Sequence, residues 1–138
     1  MKVVLDTNVF VSGLLSPFGP PGEIVRMLSA GTLTLCLDAR VLSEYAEVLA
    51  RPRFAFDQDM VASLLEYVTH VGQTVAAAPL PAPLPDHDDQ PFLELALFGG
   101  AEYLITGNRR HYPKALCGSV RVVSPAQFVA AYRANMPQ

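Results

Sequence analysis

Short apolar runs alternate with amphipathic stretches along this chain. "KVVLD" (2–6) reads as a buried strand ending on an acid. "NVFVSGLL" (8–15) is apolar in either period and can form a short helix before the turn "SPFGPPG". "GEIVRMLSAG" (22–31) puts Ile24, Val25 and Leu28 on one helical face and stops at Gly31. "TLTLCLD" (32–38) is a second strand, again ending on an acid. "DARVLSEYAEVLA" (38–50) opens with an Asp suited to cap a helix, and Val41, Leu42, Tyr45, Val48 and Leu49 form its apolar stripe. In "DQDMVASLLEYVTHVG" (57–72), Leu64, Leu65 and Val68 face inward.

The second half repeats the alternation. "QTVAAA" (73–78) is a weak strand, and "PLPAPLP" (79–85) an extended Pro-rich connection. "DQPFLELALFGG" (89–100) is a helix whose Pro91 is tolerable only in the first turn. "EYLIT" (102–106) and "VRVVS" (120–124) are strands, and "PAQFVAAYRA" (125–134) is a last helix opened by Ser124 and Pro125. No internal repeat is visible. Strands that alternate with helices imply a parallel sheet covered on both faces, with right-handed crossovers. Ligands of such sheets bind beyond the carboxyl ends of the strands, where the strand order reverses.

Composition narrows the class. A chain of 138 residues is one domain, 1–138, on length alone, and at 51% hydrophobic it can bury a proper core. The residues after the Pro-rich stretch are too few to fold separately, so that stretch is a loop. The net charge of −3 argues against a general electrostatic grip on nucleic acid, though local basic side chains or bound cations leave such a partner open. Cys36 and Cys117 have no metal-ligand spacing and read as reduced thiols. The N-terminus has no signal-peptide pattern, and the longest uncharged stretch carries four prolines. The expectation is a cytoplasmic protein with no membrane partner.

The acids carry the chemistry. "DHDD" (86–89) sets three aspartates and a histidine side by side, although like charges repel. Asp6 and Asp38 end the first two strands, Glu44 follows in a helix, Asp88 and Asp89 open another, and Asn108 follows "EYLIT". All map to one edge of the sheet. Carboxylates that converge raise one another's pKa until one protonates, unless a cation sits among them. Mg²⁺ or Mn²⁺ suits carboxylate and water oxygens. Asp38, Asp57 and Asp59 read better as capping residues, Glu47 as a solvated helix residue, and His70 and His87 as surface. His111 falls near the converging acids.

Four stretches together resemble the PIN-domain family of metal-dependent ribonucleases: "VVLDTNVFVSGLLSPFGPPGEIV", "VLSEYAEVLARPRF", "DHDDQPFLELALFGGAEYLITGNRRHYP" and "VRVVSPAQFV". They are most similar to the branch described as toxin components of bacterial toxin–antitoxin systems. The resemblance implies a three-layer α/β/α sandwich with a central parallel sheet and an acidic pocket. Asp6, Glu44 and Asp89 match the family's first three acids, with Asp88 the adjacent acid of the ligand set. Thr7, Asn8 and Thr106 match residues that shape the pocket. Asn108 stands at the fourth acidic position and supplies no charge, and His111 stands where relatives often carry a further acid. Both departures bear on a second metal and not on the fold.

The implied reaction is hydrolysis of RNA by water activated at one or two Mg²⁺ or Mn²⁺ ions, catalysed through Asp6, Glu44, Asp89 and Asn108. Arg51, Arg53, Arg109 and Arg110 are candidates to hold phosphate, because a guanidinium offers a planar fork of donors. The implied partners are RNA, a small antitoxin and a second copy of the chain, the last through apolar faces around Tyr45 and Phe54. Two rivals are distinguishable. A haloacid-dehalogenase-type phosphatase needs a second Asp two positions after the first, where this chain has Asn8. A catalytically inactive PIN-like module that binds RNA or protein would tolerate Asn108 and His111.

Overall fold

A computed structural model describes residues 1–135. Five strands form one sheet: β1 (Lys2–Leu5), β2 (Thr34–Leu37), β3 (Gln73–Thr74), β4 (Tyr103–Ile105) and β5 (Arg121–Val123). Their order is β3-β2-β1-β4-β5 and every pairing is parallel. Six helices connect or follow them: α1 (Thr7–Leu15), α2 (Pro20–Ser29), α3 (Ala39–Leu49), α4 (Gln58–Val71), α5 (Gln90–Gly99) and α6 (Pro125–Ala134). This is the three-layer α/β/α arrangement of a PIN-like fold.

The order reverses at β1, with β2 on one side of it and β4 on the other. Right-handed crossovers then send α5 to one face of the sheet and the helices between β1 and β3 to the other. α5 packs against β1, β2 and β4, while α2 packs with α1, α4 and α6. The central strands β1, β2 and β4 are buried on both faces, whereas the edge strands β3 and β5 have no fully buried residue.

Local chemistry sets the boundaries. The ambiguous segment 8–15 is helical, and Gly13 explains how it fits: a Cβ there would lie 2.6 Å from Val25 Cγ2, so only glycine lets α1 and α2 approach this closely. α2 begins two residues before the expected start, with Pro20 in its first turn, where a missing N–H is harmless. Asp38 caps α3 by accepting from the Val41 amide at 3.1 Å, and Asp57 caps α4 through the Asp59 amide at 2.9 Å. Gly100, at φ +65°, ends α5 in the left-handed region that a Cβ disfavours. Ser124 and Gln127 form the reciprocal cap of α6.

Two expectations need correction. The strand expected over 73–78 is only Gln73–Thr74, because β3 is an edge strand paired to β2 alone and the chain then leads into the four prolines of 79–85. Tyr45 is no part of an exposed apolar face. It is fully buried, its ring 4.8 Å from that of Phe10, and its hydroxyl donates to the Leu5 carbonyl. Leu64 and Leu65 are half-buried, with Val61 and Val68 the buried contacts of α4.

Candidate metal centre and nucleic-acid interface

Asp6 ends β1 and precedes α1, so the reversal of strand order places it at the switch point. It is 6% exposed. Thr106, the residue after β4 and fully buried, donates its hydroxyl to Asp6 Oδ2 at 2.8 Å. The Asn108 amide donates to that same hydroxyl at 3.0 Å. The chain therefore runs from the loop after β4 through Thr106 into the Asp6 carboxylate.

Glu44 comes from α3. Burial of Tyr45 beside it anchors the helix at the end of β1, and the Thr7 hydroxyl donates to Glu44 Oε2. Asp89 comes from the other direction. A tight turn over His87–Asp89, capped by Asp86 through the Asp88 amide at 3.0 Å, leads directly into α5. Asp89 is buried and spends no oxygen on capping that helix. Asp88 is exposed.

A cavity of about 240 Å³ is lined by Asp6, Glu44, Asp86, Asp88 and Asp89, together with Thr7, Asn8, Asn108, His111 and Arg51. Val48, Arg53, Phe54 and Phe92 complete the wall. The sequence-derived candidates Asp6, Thr7, Asn8, Glu44, Asp88, Asp89, Asn108 and Arg51 thus share one cavity. Thr106 lies beneath it, touching Asp6. Arg109 and Arg110 do not line it. They belong to an adjoining depression with Gly107, Asn108 and His111, because the tight turn Arg109–His111 carries their side chains past the rim.

Sequence reasoning passed over Asp86. One oxygen each from Asp86 and Asp89 and one ring nitrogen of His111 lie within 4.8 Å of one another, a grouping that could hold a metal ion. The signal was in "DHDD" itself, but the match to the family's acids singled out Asp89 with Asp88 beside it and left Asp86 unassigned. Glu94 was also missed. This buried acid on α5 accepts from Arg40 at 2.6 Å and from the Leu80 amide at 3.1 Å, so it pins the Pro-rich connection to the body.

Electrostatics favour a cation. Burial raises the pKa of Asp6, against the opposing pull of the Thr106 hydroxyl, the Thr7 and Asn8 amides and His111. Burial likewise raises Glu44, and Asp6, Asp88 and Glu47 push it further. Asp89 is raised by burial and then by Asp6, with His111 opposing. His111 Nδ1 lies 2.9 Å from Asp89 Oδ2, within pairing distance. Carboxylates that converge on one cavity and raise one another's pKa are a donor set suited to a hard divalent cation.

An all-parallel sheet with an acidic cup at its switch point is a three-layer α/β/α domain with a candidate cation site. A family model described as PIN domain matches residues 2–110, and the chain belongs to the PIN-domain family. It is also similar to an uncharacterized protein of Methanocaldococcus jannaschii, 23% identical over 143 residues that cover 96% of this chain and 92% of that protein. PIN domains are generally nucleases, which gives the chain a nuclease-like function. Among the described residues, no helix is long and apolar enough to cross a membrane.

Proposed function

We propose that residues 1–138 form a single PIN domain that hydrolyses RNA phosphodiester bonds with Mg²⁺ or Mn²⁺. The observation that carries this reading is the convergence of Asp6, Glu44 and Asp89, from three separate elements, on one cavity. Asp6, Glu44, Asp89 and the neighbouring Asp86 and Asp88 would hold one or two ions, with His111 beside them. A divalent cation so held lowers the pKa of water and neutralises charge that builds on the phosphate.

The chain's own groups do the rest. Thr106 orients Asp6 and keeps one of its oxygens occupied, leaving the other for the cavity. Thr7 does the same for Glu44. Asn108 and Asn8, both exposed on the cavity wall, can orient water or a phosphate oxygen through side-chain amides. Arg51 offers a cation at the rim, with Arg109 and Arg110 in the adjoining depression for phosphates further along the strand. No nucleophilic side chain is required, because water attacks phosphorus.

The test is cleavage of single-stranded RNA with Mn²⁺ by the wild type, Asp6→Asn and Asp89→Asn. Cleavage by the wild type alone supports the reading, and equal activity in all three rejects it. A toxin role, with a small antitoxin covering the cavity or its rim in the cytoplasm, is supported by the motif resemblance. Growth arrest on expression that Asp6→Asn relieves would support it. A second reading, a PIN-like module that binds without cleaving, draws on Asn108 at the fourth acidic position. Calorimetric titration separates the two: a nuclease site binds Mn²⁺ and loses it in Asp89→Asn.

A further inference from the structure

Phe54 is an apolar ring in a wall otherwise made largely of acids, amides and arginines. It ends the tight turn Pro52–Phe54 that follows α3. Ala55, the next residue, has φ +53°, and among the described residues it is the one non-glycine in the left-handed region. A Cβ makes that conformation unfavourable, and backbone strain of this kind persists where the surroundings require it. Beside it lies a stack. The rings of Phe54 and Phe56 lie 5.5 Å apart and 16° from parallel, and the Arg53 guanidinium lies 4.8 Å from the Phe54 centroid. Phe54 is half-buried and Arg53 is exposed.

We propose that Phe54 is a stacking platform for one unpaired nucleobase next to the acidic cavity. The inference rests on the nuclease reading and adds a base subsite to it. A flat guanidinium resting on a flat ring marks a face that a nucleobase also fits. The base takes the place of the Arg53 guanidinium, and Arg53 turns to the phosphate beside it. The near-parallel Phe56 ring, 5.5 Å away, supports Phe54 against displacement when the base arrives. The chain's negative net charge gives it little general hold on RNA, and stacking supplies sequence-tolerant binding that charge does not. A duplex, whose bases are already stacked and paired, has no free face to offer.

The chain contains no tryptophan, so Phe54→Trp introduces a single emitter at the platform. With Ca²⁺ in place of Mn²⁺, a short oligouridylate is expected to quench its emission, whereas an RNA duplex of matched length and inorganic tripolyphosphate leave it unchanged. In cleavage assays with Mn²⁺, Phe54→Leu keeps the apolar contact and removes the ring. It is expected to raise KM for single-stranded RNA by about 10-fold with little change in kcat, in the range set by base–aromatic stacking, and Phe54→Tyr to restore it. An unquenched tryptophan together with an unchanged KM in Phe54→Leu overturns the platform, and does so even where Asp6→Asn abolishes cleavage and the nuclease reading stands. Quenching by oligouridylate in a protein that cleaves no RNA keeps the platform and removes the nuclease reading. Equal quenching by tripolyphosphate reports charge alone and also overturns the platform.

Discussion

Thr106 reaches across the switch point of the sheet to donate its hydroxyl to Asp6, 100 residues earlier in the chain, at 2.8 Å. The two residues follow β1 and β4, the adjacent strands between which the order reverses. The bond holds one oxygen of a buried carboxylate that lines the cavity. Thr106→Val is close to isosteric and removes only the donor. Groups that orient a metal ligand are worth about 10–100-fold in affinity or activity. A loss of that size in Mn²⁺-dependent RNA cleavage is expected for Thr106→Val, with Thr106→Ser close to wild type. Full activity in Thr106→Val would show that Asp6 needs no positioning.

The raised carboxyls give a pH dependence of defined sign. Asp6, Glu44 and Asp89 each have a folded pKa above the ordinary carboxylate value, mainly through burial. A folded state that holds its protons more tightly than the unfolded chain gains stability below the ordinary value and loses it as pH rises through the folded ones. In EDTA, Asp89→Asn is therefore expected to melt above the wild type at pH 8 and at the same temperature near pH 4. Added Mn²⁺ should reverse the order at pH 8, because only the wild type is stabilised by mass action. A melting difference that ignores pH would mean that Asp89 is not strained by its charge.

The order of elements was legible in the sequence because strand and helix periods differ and each strand is bounded by turn chemistry. That Asp6, Glu44 and Asp89 come to one cavity was expected for a second reason: in a parallel sheet the strand ends and the early turns of the helices that follow share one edge. What sequence could not resolve was direction within a few residues. Arg109, Arg110 and His111 are consecutive, and only the turn they form decides that His111 enters the acidic cavity while both arginines pass it. Tyr45 carried a similar ambiguity, since a tyrosine on a helix stripe fits a core or an interface. Its hydroxyl found a partner in a strand-end carbonyl, and that allowed complete burial.

That bond between Tyr45 and Leu5 is a stability element beside the site. Tyr45→Phe removes the donor and leaves the Leu5 carbonyl buried. The expected loss is about 1–2 kcal/mol in urea unfolding, typical of a buried hydrogen bond with one partner removed. Because α3 carries Glu44 next to Tyr45, weaker Mn²⁺ binding should accompany it. Unchanged stability would place the helix anchor in the ring contacts with Phe10 and Phe92 instead.

Asp86 offers a cleaner separation of charge from structure. Its carboxylate caps the turn that delivers Asp89, by accepting from the Asp88 amide, and its other oxygen is available to the grouping with Asp89 and His111. Asn retains an acceptor oxygen for the cap and discards the charge, so Asp86→Asn should leave the metal-free melting temperature within about a degree, as expected of an exposed site whose cap is preserved. If Asp86 helps to hold the ion, Mn²⁺ affinity by calorimetry should drop by about 10-fold, the scale of a supporting ligand. Affinity should also fall with pH in both proteins, since Asp6, Glu44 and Asp89 hold their protons more tightly than ordinary carboxylates and bind metal only when deprotonated. His111→Ala in the same titration gives the second arm. A loss in Asp86→Asn without one in His111→Ala would leave the acids as the ligand set and His111 as the base that steadies Asp89. No loss in either would confine the ion to Asp6, Glu44 and Asp89, deeper in the cavity.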